Sequence, residues 1–324
     1  MHRKVTLSIG LLTSLLAALF IGILWSMPLA AMELPLKVFV IPKGMSNQYW
    51  KIVQRGAEQA GRDLGVTVTF RGPGDEDNRQ AQGQLIRSAL DNGYQGIVLA
   101  PGDESMHTEL LQQVRARGVR TVIIDSTQQG SDYDSFIATD NYRVGTLAAE
   151  EMLRLLGGKG RVLLFRFHAG SASTDQREQG FIDRLKGSGI EVIGEAYAGV
   201  SLGSAARSAH RLLDRYPDAQ GVFTPDESST EGLVLALKSR GMQGQIKVIG
   251  MDYNPRLLRA LDEHYLDALF IQRQYLMGYQ GVETVVNLLR GNSISARTLF
   301  EPLLVNRENR ADPEISELLR PLND

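Results

Sequence analysis

The sequence predicts an α/β protein built as two similar doubly wound parallel-sheet lobes. Short apolar strands alternate with amphipathic helices, the pattern of right-handed crossovers and a parallel sheet. The pattern then begins again near mid-chain: YQGIVLAPGDES (94–105) is echoed by AQGVFTPDESS (219–229), and VRTVIIDS (119–126) by IKVIGMDY (246–253). The echo sets acids at matching strand ends, Asp103 with Asp226 and Asp125 with Asp252. A period this long is no solenoid. Two lobes whose strand-end loops face each other would line one cleft with both acidic sets.

Residues 37–41, 66–70, 96–100 and 120–124 are short β-rich runs bounded by turn residues, and 49–63, 77–91 and 106–117 carry helical patterns. In the first helix Trp50, Val53, Ala57, Ala60 and Leu64 form the apolar stripe, and Tyr49 falls off it. Trp50 therefore reads as core, cleft or both, while Tyr49 is the better candidate for an exposed contact. A helix at 141–156 leads into strands at 161–165, 191–195, 221–224 and 247–250, with helices at 176–186, 205–216 and 230–240 between them. A helix at 257–263, a strand at 266–272 and a helix at 275–289 follow, then a polar tail at 306–324 whose Ile315, Leu318 and Leu319 are suited to packing on the surface.

A chain of 324 residues has the length of about two domains, and a net charge of -2 gives no electrostatic footprint for nucleic acid or an anionic membrane. There are no cysteines, which excludes a lipoprotein, disulfides and thiolate metal sites. Five scattered histidines form no metal spacing, and neither HExxH nor a phosphate loop occurs, so no metal and no cofactor are expected. Arg3 and Lys4 precede a charge-free run at 5–25, followed by Pro28, Leu29, Ala30 and Ala31, the layout of a secretory signal over 1–31. The apolar run approaches the length that spans a bilayer, so an uncleaved anchor stays open. Either way the rest of the chain is expected outside the cytoplasm.

Asp125 and Asp252 are each the first polar residue after a buried strand, where a carboxylate accepts hydrogen bonds from the hydroxyls of a neutral polyol. Capping of the next helix is the competing reading, stronger for Asp252 because Pro255 follows. Arg177, in STDQREQGF, offers a rigid fork of five donors to ligand oxygens, against the default of a solvated helix face. His168 reads as a satisfied surface histidine. Gly199-Val200-Ser201-Leu202-Gly203 matches GxSxG with Asp252 and His264 following in hydrolase order, yet 33 glycines make a chance match easy and His264 lies on a charged stretch.

With these residues in place the chain resembles the type I periplasmic sugar-binding proteins, the ribose and galactose group related to lac-repressor effector domains. The resemblance spans about 36–305 and is carried by SNQYWKIVQRGAEQAGRDLG, IVLAPGD, VIIDS, FIATDNYRVGTLAAE, STDQREQGF, VFTPDESSTEGLVLAL, VIGMD and FIQRQYLMGYQGVE in order. It implies ligand contacts at Asn47, Tyr49, Trp50 and Asp125, and from the second lobe at Arg177, Asp226 (usually Asn in the family), Asp252 and Gln272. Rings stack on the apolar face of the sugar while charged and amide groups bind its hydroxyls. Ser126, Ala100 and Val200 depart from the ribose-binding pattern, which argues against ribose itself, and the facing ring is then either absent or supplied by Tyr197 or Tyr253.

The resemblance also implies a three-strand hinge near 139–140, 272 and 299–302, dividing the chain into a first lobe (36–139 plus 273–298) and a second (140–272 plus 299–305). The expected function is that of a periplasmic monomer that closes on a small sugar or polyol and delivers it to an ABC transporter permease in the inner membrane, without bond chemistry. A periplasmic sensor of the same fold is the alternative, and a hydrolase through Ser201 a distant one. The apolar leader occupies the place a helix-turn-helix would need, which disfavours a DNA-binding regulator.

Overall fold

The computed structural model describes residues 35–76 and 78–319. The leader at 1–31 and the last residues of the tail lie outside them. None of the described helices is long and apolar enough to cross a membrane. The first series runs β1 (Lys37–Ile41), α1 (Gln48–Leu64), β2 (Thr67–Phe70), α2 (Arg79–Asp91), β3 (Gly96–Leu99), α3 (Thr108–Ala116), β4 (Arg120–Ile124) and β5 (Ser135–Thr139). The second opens with α4 (Asn141–Leu155) and continues through β6 (Lys159–Arg166), α5 (Ala172–Leu185), β7 (Gly189–Tyr197), α6 (Leu202–Arg215), β8 (Gly221–Phe223), α7 (Glu227–Ser239), β9 (Lys247–Met251), α8 (Pro255–Asp262) and β10 (Ala268–Ile271). The chain ends with α9 (Gln274–Leu289), β11 (Arg297–Phe300), β12 (Leu303–Val305) and α10 (Pro313–Leu319).

Two six-stranded sheets result, ordered β11-β5-β4-β3-β1-β2 and β12-β10-β9-β8-β6-β7. The orders superimpose strand for strand, so the sequence echo is an echo of topology. Apart from the antiparallel β10–β12 pair, the strand pairs are parallel. Helices cover both faces, which is why β3, β5, β8 and β10 are buried along their whole length. The chain crosses between the sheets three times, after β5, after β10 and between β11 and β12. Leu299 and Phe300 pair with Ala138 and Thr139, so they join the first sheet and not the second, and the last crossing narrows to Glu301 and Pro302.

The two lobes share one helix-packing device. Gly56 of α1 sits against the backbone of Tyr275 in α9, and Gly278 of α9 against that of Val53. In the second lobe Gly145 of α4 meets the backbone of Arg177 in α5, and Gly180 of α5 that of Tyr142. Reciprocal glycines let each helix pair touch backbone to backbone. The first helix of each lobe thereby fixes the helix with which the chain returns from the other lobe.

The tail is more than a surface strip. Ile315 and Leu319 of α10 are buried in the core that holds Tyr253, Leu257 and Leu261, and the Tyr253 hydroxyl donates to the Leu318 carbonyl at 2.6 Å.

Replacing Gly145 by Ala puts a methyl group on the Arg177 carbonyl, and we expect a loss of about 1–3 kcal/mol in urea unfolding. Gly203→Ala, in helix α6 with only a flexible Arg207 side chain nearby, is expected to be neutral or slightly stabilising by the same measurement.

Candidate functional site

The C-terminal ends of the strands deliver loops from both lobes into one cleft, which the side chains of the two walls nearly fill. Asn47, Tyr49, Trp50, Asp125, Arg177, Asp226, Asp252 and Gln272 all line it. The structure therefore brings these eight candidate contacts to one place, four from each lobe.

Asp125 and Asp252 occupy matching corners. Each leaves its strand in the left-handed region, φ 67° and 60°, and each backbone N–H donates to the neighbouring strand, Asp125 to Ile137 and Asp252 to Phe270. Asp tolerates this conformation better than most residues, and such positions collect at functional sites. The turn aims both carboxylates into the cleft. The capping alternative for Asp252 does not hold, because Asn254 caps α8, accepting from Arg256 and Leu257. Asp252 instead accepts from Gln272 at 2.9 Å and Gln274 at 3.3 Å. Gln272 accepts from Thr139 in turn, so the two lobes are tied together beside two of the hinge strands.

Asp125 is the anchor of the first lobe. Tyr49 donates its phenol to Oδ1 at 2.7 Å, while Lys43 lies 2.6 Å from Oδ2 and Ser126 donates there at 3.2 Å. Burial opposes ionisation of Asp125, but Lys43 and Arg177 outweigh it and hold its pKa below the usual value. Burial first, and then Asp125 and Asp252, keep the Tyr49 phenol protonated well above its ordinary range. Tyr49 is 5% exposed, so the expectation of an exposed ring fails. The ring lies in the wall, edge-on to Trp50 at 4.8 Å. Trp50 combines both of its readings, with its ring in the first-lobe core and its Nε1 donating to Glu76 at 2.8 Å.

Asn47 caps α1 through the Trp50 N–H and also donates to Glu76. Arg177 is buried, not solvated, with Nε on Asn141 at 2.8 Å and NH1 on the Pro225 carbonyl at 2.7 Å. Asp226 serves two ends: it caps α7 through Ser228 and Ser229 and also faces the cleft. Burial, with Glu76 opposite, raises its pKa to about 7. Burial likewise raises Asp252 to about 6, against the pull of Arg177. Five carboxylates and two cations line the cleft among the described residues. The raised values mark the surplus.

Sequence reading missed Lys43, Glu76, Phe167, Ser173 and Glu227. Phe167 supplies the second-lobe ring. The expected donors do not: Tyr253 is buried in the core with its hydroxyl on Leu318, and Tyr197 is 45% exposed beneath the Arg166 guanidinium. Position would have found Phe167 and Lys43, the first and second residues after β6 and β1. The GxSxG serine is a helix cap: Ser201 and Ser204 form a capping box at the start of α6. His264 is exposed on the turn after α8, and Asp252 is held by the two glutamines. Asp103 accepts from Ser105 in a local turn.

This two-lobed architecture and cleft have close counterparts. A family model described as a periplasmic binding protein domain matches residues 38–293, and the chain belongs to that family. Within it the chain is a type I periplasmic sugar-binding protein. It is 36% identical to the periplasmic component of an ABC-type sugar transport system from Hahella chejuensis, with a TM-score of 0.81 over 84% of this chain and 100% of that one. A carbohydrate transporter solute-binding protein from Agrobacterium radiobacter, in complex with D-arabinose, is 28% identical with a TM-score of 0.84, covering 88% of this chain and 99% of that one. The D-allose-binding periplasmic protein of Escherichia coli (strain K12) is 24% identical over 264 residues, 79% of this chain and 85% of that protein.

Lys43→Met leaves the Asp125 carboxylate buried without its ion partner. A stability loss of about 3–5 kcal/mol is expected in urea unfolding at pH 7, shrinking in acid as Asp125 is protonated.

Proposed function

We propose that the protein captures a small sugar or polyol between its lobes and delivers it to an ABC transporter permease in the inner membrane. It acts as a free monomer in the periplasm, exported by its N-terminal segment, and performs no bond chemistry. The observation that carries this reading is the cleft itself. Asp125, Asp252 and Arg177, fixed by buried protein bonds, face the same space as the Tyr49, Trp50 and Phe167 rings, from both lobes. Carboxylates accept from sugar hydroxyls, the guanidinium donates to their oxygens, and rings cover the apolar C–H face. Relatives that bind D-allose and D-arabinose support a monosaccharide.

Delivery follows from the hinge. Contacts from both lobes favour the closed arrangement in proportion to the difference in affinity between closed and open, and a permease that reads closure is thereby biased towards loaded protein.

A thermal-shift screen over pentoses, hexoses, polyols and quorum-signal furanoses is expected to yield at least one ligand that raises Tm, by a stabilisation of about 2.7 kcal/mol at a hundredfold excess over Kd. For that ligand Asp252→Asn, which keeps a residue tolerant of φ 60°, should weaken binding about tenfold or more in calorimetry. A screen with no hit, or an unchanged affinity in the variant, would count against this site.

Small-angle scattering gives an independent check. Saturating ligand should shrink the radius of gyration of the purified protein, and an unchanged radius would speak against closure on ligand.

A further inference from the structure

Glu227 sits in the second lobe at the first turn of α7, yet its carboxylate bonds to the first lobe. Oε2 accepts from the backbone N–H of Tyr49 at 3.1 Å, and Oε1 accepts from Asn254 at 2.8 Å. Tyr49 is in the first turn of α1, where N–H groups have no partner within their own helix. Asn47 satisfies the Trp50 N–H from within the lobe, and the Tyr49 N–H is satisfied from across the cleft. Beside this bond Ile52 of α1 packs into the second-lobe core, and Lys43 reaches Ser173 at 3.2 Å. All three contacts join the lobes.

We propose that Glu227 is a positioning residue that completes the N-terminus of α1 from the opposite lobe when the cleft closes, holding the Asn47, Tyr49 and Trp50 wall in its ligand-facing arrangement and latching the lobes together without needing ligand. A carboxylate at a helix N-terminus also meets the positive end of the helix dipole. The inference takes the cleft to be the ligand site proposed above, and adds a bond that acts before ligand arrives.

The latch is sensitive to pH. Asp226 and Glu231 flank Glu227 on its own helix, Asp252 approaches from the loop after β9, and Lys51, Asp75, Arg256 and Arg259 line the groove outside it. Arg256 is engaged by Glu231. Burial first, then Asp252 and Glu231, raise the Glu227 pKa from 4.5 to about 7, against the bonds from Asn254 and Tyr49 that lower it. Opening removes the first-lobe side of this burial, so the pKa falls towards its ordinary value. Closing therefore takes up a proton. A raised acid favours the closed state at low pH, and that advantage is lost as pH rises through about 7.

The chain has no cysteine, so Arg62→Cys and Arg207→Cys, exposed on α1 and α6, place one spin label on each lobe cleanly. Distances are read without ligand between pH 5.5 and 8. The closed-to-open ratio of the protein with Glu227 should fall with pH along a slope up to one proton steeper than that of Glu227→Gln, which keeps an acceptor but no charge. Glu227→Ala should shift the population towards open at pH 5.5, by fivefold or more, because below the raised pKa the protonated side chain favours the closed state. Superimposable profiles for Glu227 and Gln, or an unchanged distance in the Ala variant, would overturn the latch. Thermal shift with D-allose and D-arabinose on the same samples judges the sugar reading separately, because the distance measurement contains no sugar.

Discussion

A cleft that carries more carboxylates than cations has to keep its charges matched as its walls approach, and the Lys43–Asp125 pair is the point from which the matching proceeds. With Lys43 on one oxygen and the Tyr49 phenol on the other, Asp125 stays ionised although it is almost wholly buried. A buried ion left alone would cost several kcal/mol, so the cation is as necessary to the fold as to the site. Tyr49 is then fixed at both ends, by its hydroxyl within the first lobe and by its N–H to Glu227 in the second. The ring wall, the floor of the cleft and the contact between lobes all rest on this short chain of bonds.

The duplicated architecture explains how two walls came to be built from similar parts. Each sheet ends a central strand in a left-handed Asp, and each lobe locks its first helix by reciprocal glycines to the helix arriving from the other side. The copies then diverged in what holds the Asp. In the first lobe it is a lysine and a phenol, and in the second two glutamines at the exit of β10. Lys43 keeps the first carboxylate charged, while burial raises the second to about 6 against the two glutamines, which lower it. The two halves offer a ligand different acceptors from one backbone plan.

Much of this was legible in the chain. Asp125 and Asp252 stand out as the first polar residues after apolar strands, and the echo between 94–126 and 219–253 reveals the second lobe before any coordinates. Period and register are local properties, and they place strand ends well. What was hidden depends on residues far apart in sequence. Lys43 carries no local signal, because Asp125, Ser126 and Ser173 that surround it lie far along the chain, and Tyr49 reads as exposed because Asp125 and much of the core that buries it are likewise distant. The second-lobe ring was sought at Tyr197 and Tyr253, but one stacks under Arg166 on the surface and the other points into the core. Strands β5, β11 and β12 were not read from the residue pattern, and the resemblance placed only hinge segments near 139–140 and 299–302.

The last described helix has a consequence for handling the molecule. Through Ile315, Leu319 and the Tyr253–Leu318 bond, α10 seals the core directly behind Asp252, and Glu314 pairs with Arg273 where the chain leaves the second lobe for the first. A fragment trimmed at the end of the matched family domain, residue 293, would lose strands β11 and β12 as well as this seal. Its apolar surface would face water and invite association between molecules. The folded core of the second lobe thus extends through Leu319, and the stretch that looks most dispensable in composition packs against Tyr253, the residue next to Asp252.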